Sequence, residues 1–158
     1  MIKQDKVLKN QILILLAAGF DELETVYSLK RFRESSLPVT LIGLSAGLIK
    51  GNNGLIIHPD ASFDQIPSKP LSKLIVIPGS KMCTTSLMSD PRVHRLLNAH
   101  LEADHYVAVL TEAESILAQV GFNNSSTSPN FLSQQSRDLS EFVTELIFLV
   151  GNNAAFSS

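Results

Sequence analysis

Residues 11–34, QILILLAAGFDELETVYSLKRFRE, contain the stretch that determines the fold class. The first eight are apolar except for Gln11, and Gly19 ends the run. Continuous apolar runs of this length are typical of strands that helices cover on both faces of a parallel sheet. Residues 21–34 then predict a helix, whose apolar stripe consists of Leu23, Val26, Tyr27 and Phe32.

The alternation of strand and helix continues along the chain. Further strands are predicted at residues 39–44, 74–77 and 106–110, a hairpin with its turn at 51–54, and helices from Asp90, Glu112 and Asp138. Gly121 and Gly151 are expected to end the last two helices. This order predicts an α/β fold, in which an open, mostly parallel sheet carries helices on both faces.

The length of the chain, 158 residues, predicts one domain with its own core, over residues 1–151. Residues 122–137 are rich in Ser, Asn and Gln and predict a loop, which is long for a compact domain. Residues 152–158 are expected to form a frayed tail.

Charge and cysteine content exclude several classes of partner and site. The 13 basic and 15 acidic side chains give a net charge of −2, so we expect no nucleic-acid partner. A single cysteine excludes an internal disulfide and favours a reducing compartment, which predicts a cytoplasmic protein. The apolar run at 12–18 is too short to cross a bilayer, so no membrane association is expected. Neither zinc-site spacing nor a nucleotide-binding glycine motif is present, and we predict no metal and no cofactor.

Three loops that follow buried strands are the candidate ligand-binding positions, at residues 19–24, 78–85 and 111–115. Ligands of doubly wound sheets bind at the carboxyl ends of the strands, where amides at helix starts can face an anion. In the first loop the helix dipole explains Asp21 and Glu22. Glu24 either interacts favourably with the helix dipole as well, or directs its carboxyl toward the strand ends as a catalytic acid.

The other two loops offer an oxyanion turn and two possible nucleophiles. Gly79 either lets a ligand approach backbone amides closely or simply ends a strand. Cys83 is the only thiol, and Lys81 could lower its pKa, although most lone cysteines are buried and inert. Thr111 stands where a nucleophile elbow would be, but an alcohol needs a base, and the neighbouring Glu112 is bulkier than an elbow prefers.

Together, three segments resemble the DJ-1/PfpI (ThiJ) superfamily: residues 12–45, ILILLAAGFDELETVYSLKRFRESSLPVTLIGLS; residues 54–66, GLIIHPDASFDQI; and residues 73–80, KLIVIPGS. The resemblance covers roughly residues 10–122 and resumes at the last helix. It implies a flavodoxin-like fold, usually as a homodimer, with a reactive cysteine on the elbow after the fourth buried strand.

The resemblance also implies roles for individual residues. Glu24 matches the glutamate that hydrogen-bonds the family's cysteine, and Gly79 and Ser80 match the glycine pair whose amides line the oxyanion pocket. Thr111 takes the place of the cysteine, or Leu110 does if a one-residue gap is placed differently.

The elbow departs from the family pattern. Its A-x-C-[AH]-G motif is replaced by VLTEA at residues 109–113, so the thiol is missing and Glu112 borders the pocket. An aliphatic hydroxyl ionises far less readily than a thiol, whose reference pKa is ~8.5. Glu24 would hydrogen-bond Thr111 as a neutral alcohol and would not stabilise an alkoxide.

These departures lead to three hypotheses. The leading one is a domain that has lost the cysteine chemistry and binds a small carbonyl compound or carboxylate in a pocket formed by Glu24, Gly79, Ser80, Glu112 and Thr111. The second is an active, stress-related enzyme of the glyoxalase, deglycase or amidase type, acting on small electrophiles through Thr111 or Cys83. The third is a chaperone-like or protein-interaction module.

Overall fold

Strand β1 (Gln11–Leu16) lies in the middle of the sheet in the computed structural model, which describes residues 11–67, 72–119 and 128–156. All six of its residues are buried, as the continuous apolar run predicts. Its two neighbours are β2 (Val39–Gly43) and β6 (Ser72–Ile77), and both run parallel to it.

The sheet has six strands in the order β5-β2-β1-β6-β7-β8, and every described pairing in it is parallel. The remaining strands are β5 (Ala61–Ser62), β7 (Tyr106–Val109) and β8 (Phe131–Ser133), of which β5 and β8 form the two edges. A separate antiparallel hairpin consists of β3 (Ile49–Lys50) and β4 (Ile56–Ile57). The α/β, flavodoxin-like fold and the small hairpin are therefore confirmed.

Five α-helices are described: α1 (Glu22–Glu34), α2 (Lys81–Met88), α3 (Pro91–Glu102), α4 (Thr111–Gln119) and α5 (Leu139–Phe156). Helix α3 begins where the sequence predicts, because the Asp90 side chain accepts a hydrogen bond from the Arg92 N–H and Pro91 occupies the first helical position. No helix in the described ranges combines the length and apolar character needed to span a bilayer.

Three predicted elements differ from the structure. Helix α2 begins within the predicted loop at 78–85 and continues to Met88, and β8 lies within the predicted loop at 122–137, of which 122–127 are outside the described residues. Gly151 does not end α5, which continues to Phe156. Glycine weakens a helix interior by about 1 kcal/mol but does not forbid it, so this predicted boundary is wrong.

Helix α1 is confirmed, but part of its apolar stripe does not face the core. Leu23 and Val26 are exposed, by 73% and 43%, whereas the buried residues are Thr25, Ser28 and Phe32. The side chains that the helix packs against the domain are therefore mainly small. Part of its apolar surface stays exposed to solvent at the end that carries Glu24.

Candidate functional site

Glu24 lies in the first turn of α1, at the carboxyl end of the sheet. The helix starts here because Oδ1 of Asp21 accepts a hydrogen bond from the backbone N–H of Glu24, at 2.8 Å. The Glu24 side chain extends to the turn after β6, where Oε1 accepts a hydrogen bond from the Gly79 N–H at 2.7 Å. This contact joins the ends of two neighbouring strands, β1 and β6.

The environment of Glu24 favours its neutral form. Burial, the largest cause, raises the pKa of this half-buried carboxyl from 4.5 to about 7. The Gly79 N–H favours the carboxylate and lowers the pKa, whereas the negative charges of Asp21 and Glu112 raise it. Near neutral pH the protonated and the ionised form of this carboxyl are therefore both populated, so it can donate or accept a proton. This is expected of a group at a functional site.

Gly79 allows the acid to approach the backbone. A Cβ at this position would lie 2.6 Å from Glu24 Oε1 and 3.4 Å from the Cβ of Glu112. A side chain here would displace the Glu24 carboxyl from this position, and the two glutamates flank the same backbone turn. The Gly79 amide, which the resemblance assigns to the oxyanion pocket, is already occupied by the Glu24 carboxyl.

Ser80 shapes the turn through an unusual backbone conformation. Its φ is 97° and its ψ is 136°, a region that favours glycine. The side chain compensates with two hydrogen bonds: Oγ donates to the carbonyl of Gly19 at 2.6 Å and accepts from the Cys83 N–H at 3.2 Å. The second of these bonds caps helix α2.

The turn from β7 into α4 brings Glu112 to the site. Glu112 is exposed and lies in the first turn of α4. Leu110, the alternative elbow residue, is fully buried in the core, and its N–H donates to the carbonyl of Ile77 at 3.1 Å. Thr111 is the first residue of α4, but its side chain lies outside the described part of the chain. Its catalytic role remains a prediction.

Cys83 lies in α2, and no part of it is exposed to solvent. Its Sγ accepts a hydrogen bond from the Ala17 N–H at 3.3 Å. Burial raises the pKa of the thiol to about 11. Because the thiolate is the reactive form of cysteine, this environment keeps the side chain in its unreactive state at neutral pH.

Glu22 has a contact that the sequence analysis did not identify. Its Oε2 accepts hydrogen bonds from the N–H groups of Asn53 and Leu55, at 2.9 and 2.7 Å. The carboxylate therefore fastens the β3–β4 hairpin to the start of α1, beside the candidate site. The only feature of the sequence that points to this contact is the GNNG turn, because its backbone N–H groups need a hydrogen-bond acceptor.

Exposed apolar side chains lie on the three elements that border the site, α1, the hairpin and α2. We call them the apolar rim, and they are Leu23, Val26, Leu55, Ile56 and Met82. Their exposed fractions range from 43% for Val26 and Leu55 to 73% for Leu23. Met82 adjoins the first loop, since a Cβ on Gly19 would lie 2.5 Å from its Sδ.

Metal-ligating side chains do not assemble here. Among the residues that the structure describes, no three from the His, Cys, Asp and Glu types lie close enough together to hold a metal ion. The polar groups that the site offers are the carboxyls of Glu24 and Glu112 and the backbone of the turn.

Comparison with known proteins finds similar sequences among curated proteins. DJ-1alpha of Drosophila melanogaster is 29% identical over 139 residues, which are 86% of this chain and 64% of that protein. A deglycase of Thermococcus kodakarensis is 34% identical over 71 residues, 45% of this chain and 42% of that protein. The chain thus spans less than two thirds of the length of these curated relatives.

Solved structures show the same architecture. DJ-1 of Toxoplasma gondii, in an oxidized form, superposes with a TM-score of 0.79 at 14% identity, covering 89% of this chain and 90% of that one. DJ-1beta of Drosophila melanogaster gives 0.76 at 19% identity, with 90% of each chain covered. The DJ-1/PfpI family profile matches residues 10–146. The chain therefore belongs to the DJ-1/PfpI family.

Proposed function

We propose that this domain binds small neutral carbonyl compounds at Glu24 and Gly79 and does not perform the cysteine chemistry attributed to its family. The observation that carries the proposal is the Glu24–Gly79 contact, which holds a carboxyl of pKa about 7 at the carboxyl end of the sheet. Glu112 replaces the small residue that the family has beside its elbow cysteine, and the elbow itself holds no cysteine.

The hydrogen bonding of Glu24 supports a donor role toward a carbonyl oxygen. Because Oε1 accepts the Gly79 N–H, a protonated carboxyl can hold its proton on Oε2 and donate it to a ligand. The ionised carboxylate has no proton to donate. Binding of a carbonyl ligand should therefore weaken as the pH rises through 7.

The charges around Glu24 favour a neutral ligand over a carboxylate. Asp21 and Glu112 both act on Glu24 as negative charges, and the Gly79 amide that would receive an anion is already engaged. An incoming carboxylate would face like charges and would have to displace the Glu24 side chain. Of the two ligand classes that the sequence suggests, the site favours the neutral carbonyl compound.

The buried thiol argues against the enzyme hypothesis that uses Cys83. One relative is named a deglycase, but the match spans only 42% of its length. Cys83 is the only cysteine of this chain, and burial keeps it protonated. We therefore do not assign it a nucleophilic role.

Titrations followed by ¹⁵N-resolved NMR test the proposal, with hydroxyacetone as the neutral probe and pyruvate as the anionic one. We expect hydroxyacetone to shift the Gly79 amide signal, with an affinity about tenfold weaker at pH 8 than at pH 6 as Glu24 loses its proton. Pyruvate should bind more weakly than hydroxyacetone at both values.

Two variants separate the role of Glu24 from general effects of charge. E24Q keeps an acceptor for Gly79 and a permanent N–H donor, so it should bind hydroxyacetone without the pH dependence. E34Q, at the other end of α1 where Glu34 pairs with Lys30, should retain the dependence. Equal binding of both probes, or methylglyoxal turnover that E24A abolishes, would contradict the proposal.

We also infer that the apolar rim is buried in a homodimer, as the resemblance implies. Its five side chains are large and exposed, and they lie on the three elements that border the site. Isolated exposed apolar residues are common, but a group of them on adjoining elements favours an interaction surface. This observation supports the interaction hypothesis in the form of self-association.

A further inference from the structure

A second cluster of polar side chains lies at the amino ends of the strands, away from Glu24. His100 is in the last turn of α3 and is fully buried. Its Nδ1 is 3.1 Å from the carbonyl of Leu96, one turn earlier, and its Nε2 is 2.6 Å from Oγ of Ser72, the first residue of β6.

These contacts determine the protonation of the His100 ring. A carbonyl can only accept, so Nδ1 carries the hydrogen and donates it to Leu96. Nε2 is then the acceptor of the Ser72 hydroxyl. The neutral imidazole thereby satisfies both of its nitrogens while it joins the end of α3 to the start of β6.

A second histidine lies against the first. His105 precedes β7, and its ring centroid is 5.7 Å from that of His100, in an edge-to-face arrangement. The His105 N–H donates to the carbonyl of His100 at 2.8 Å. The Nδ1 atom of His105 is buried and has no hydrogen-bond partner among the residues that the structure describes. A proton added there would bring a charge into a position that offers it no acceptor.

Within residues 11–67, 72–119 and 128–156, no negative charge acts on His100 to neutralise an imidazolium. The groups that act on it there are His105 from the β7 side, the Ser72 hydroxyl from β6 and the Leu96 carbonyl from α3. For His105, the positive charge of Lys73 opposes protonation, whereas a hydrogen bond with the Ser72 backbone and the negative charge of Asp104 favour it. Burial is the largest cause that lowers the pKa of each ring, for His100 to about 4.

We propose that His100 and His105 form an acid-sensitive latch that holds the C-terminal end of α3 on the first residues of β6 and β7 while both rings are neutral, and that protonation releases this end of the domain. The open state exposes the rings to water, where histidine titrates near its ordinary value. Since the closed state binds protons less readily, its stability is complete above about pH 6.5 and is lost as the pH falls toward 4.

Hydrogen exchange of the whole chain tests the latch, after correction for the intrinsic effect of pH on exchange. Between pH 8 and pH 5 the opening equilibrium should rise about 30-fold for His100 alone, given its pKa of about 4 against 6.5 when open. We expect this increase at the amides of residues 97–102 and of His105, with a smaller change in α1. An equal loss of protection in α1 would indicate general acid unfolding and would overturn the proposal.

Variants and a direct titration complete the test. H100Q and H105Q should each reduce the pH dependence of opening. H58Q is the control and should leave it unchanged, because the His58 ring contacts the carbonyl of Pro59 and is not part of the latch. Even if H100Q fails to fold, NMR of the wild-type rings decides the matter. Titration of His100 near pH 6.5 with unchanged amide protection would overturn the latch, and titration well below that value with loss of protection would support it.

Discussion

Ser80 illustrates how one residue can be unfavourable in its backbone and still stabilise the site. A non-glycine residue at φ 97° and ψ 136° costs about 1–3 kcal/mol. Its hydroxyl offsets this cost by bonding to Gly19 and by capping α2. A glycine at this position would lack the strain and also lack both hydrogen bonds, which link two loops.

Two substitutions at Ser80 separate strain from hydrogen bonding. S80A keeps the strain and loses both bonds, so we expect it to lower the free energy of unfolding by about 2 kcal/mol. S80G loses the same bonds but relieves the strain, and should lower it by less than 1 kcal/mol. Urea denaturation of both variants measures the difference. A glycine variant that is less stable than the alanine variant would show that strain contributes little.

Cys83 should be unreactive in the folded protein, because its Sγ is buried and its pKa is raised to about 11. We expect incubation with iodoacetamide at pH 7.5 to leave the native chain unmodified, while the same treatment in guanidinium chloride alkylates it completely. Mass spectrometry of the intact chain distinguishes the two. Rapid alkylation of the native protein would instead favour the hypothesis of a reactive thiol.

At the scale of elements, the β3–β4 hairpin depends on Glu22 more than on its own short strands. Each strand has two residues, and an isolated hairpin of this size is not stable in water. E22A should therefore increase hydrogen exchange at the amides of Asn53 and Leu55 and lower the free energy of unfolding by about 1 kcal/mol. G51A tests the same contact from the hairpin side, because a Cβ on residue 51 would lie 2.7 Å from Glu22 Oε2. It should increase exchange at the same amides. If neither variant alters exchange in the hairpin, Glu22 does not hold it.

Elements with strong local signals were predictable from the sequence. Helix α3 begins at the residue where Asp90 and Pro91 place it, and β1 follows the apolar run. Helix α2 was not predicted, because KMCTTSLM has no clear apolar stripe and follows the strained Ser80. Strand β8 lies in a polar segment and is defined by its pairing with β7, which local sequence does not encode.

The site shows the same division between local and distant contacts. The sequence placed Glu24 and Gly79 in loops at one edge of the sheet, because parallel strands bring their carboxyl ends together. It did not reveal the hairpin contact of Glu22, which joins residues 31 and 33 positions apart. The apolar stripe that predicted α1 includes Leu23 and Val26, which are exposed, because apolar spacing alone does not distinguish a core face from an exposed one.

At the scale of the whole molecule, the apolar rim predicts how the chain self-associates. If the rim is buried between two copies, a charge in its centre should break the dimer, because a carboxylate or ammonium would be removed from water without a partner. We expect the unaltered chain to sediment as a dimer and the L23D/I56D double variant, whose two carboxylates cannot pair, as a monomer with unchanged circular dichroism. F148D is the matched control, because Phe148 is exposed by 65% on α5, outside the rim. A dimer that survives L23D/I56D but is lost in F148D would place the interface on α5, and an unaltered chain that sediments as a monomer would exclude the rim as a dimer interface.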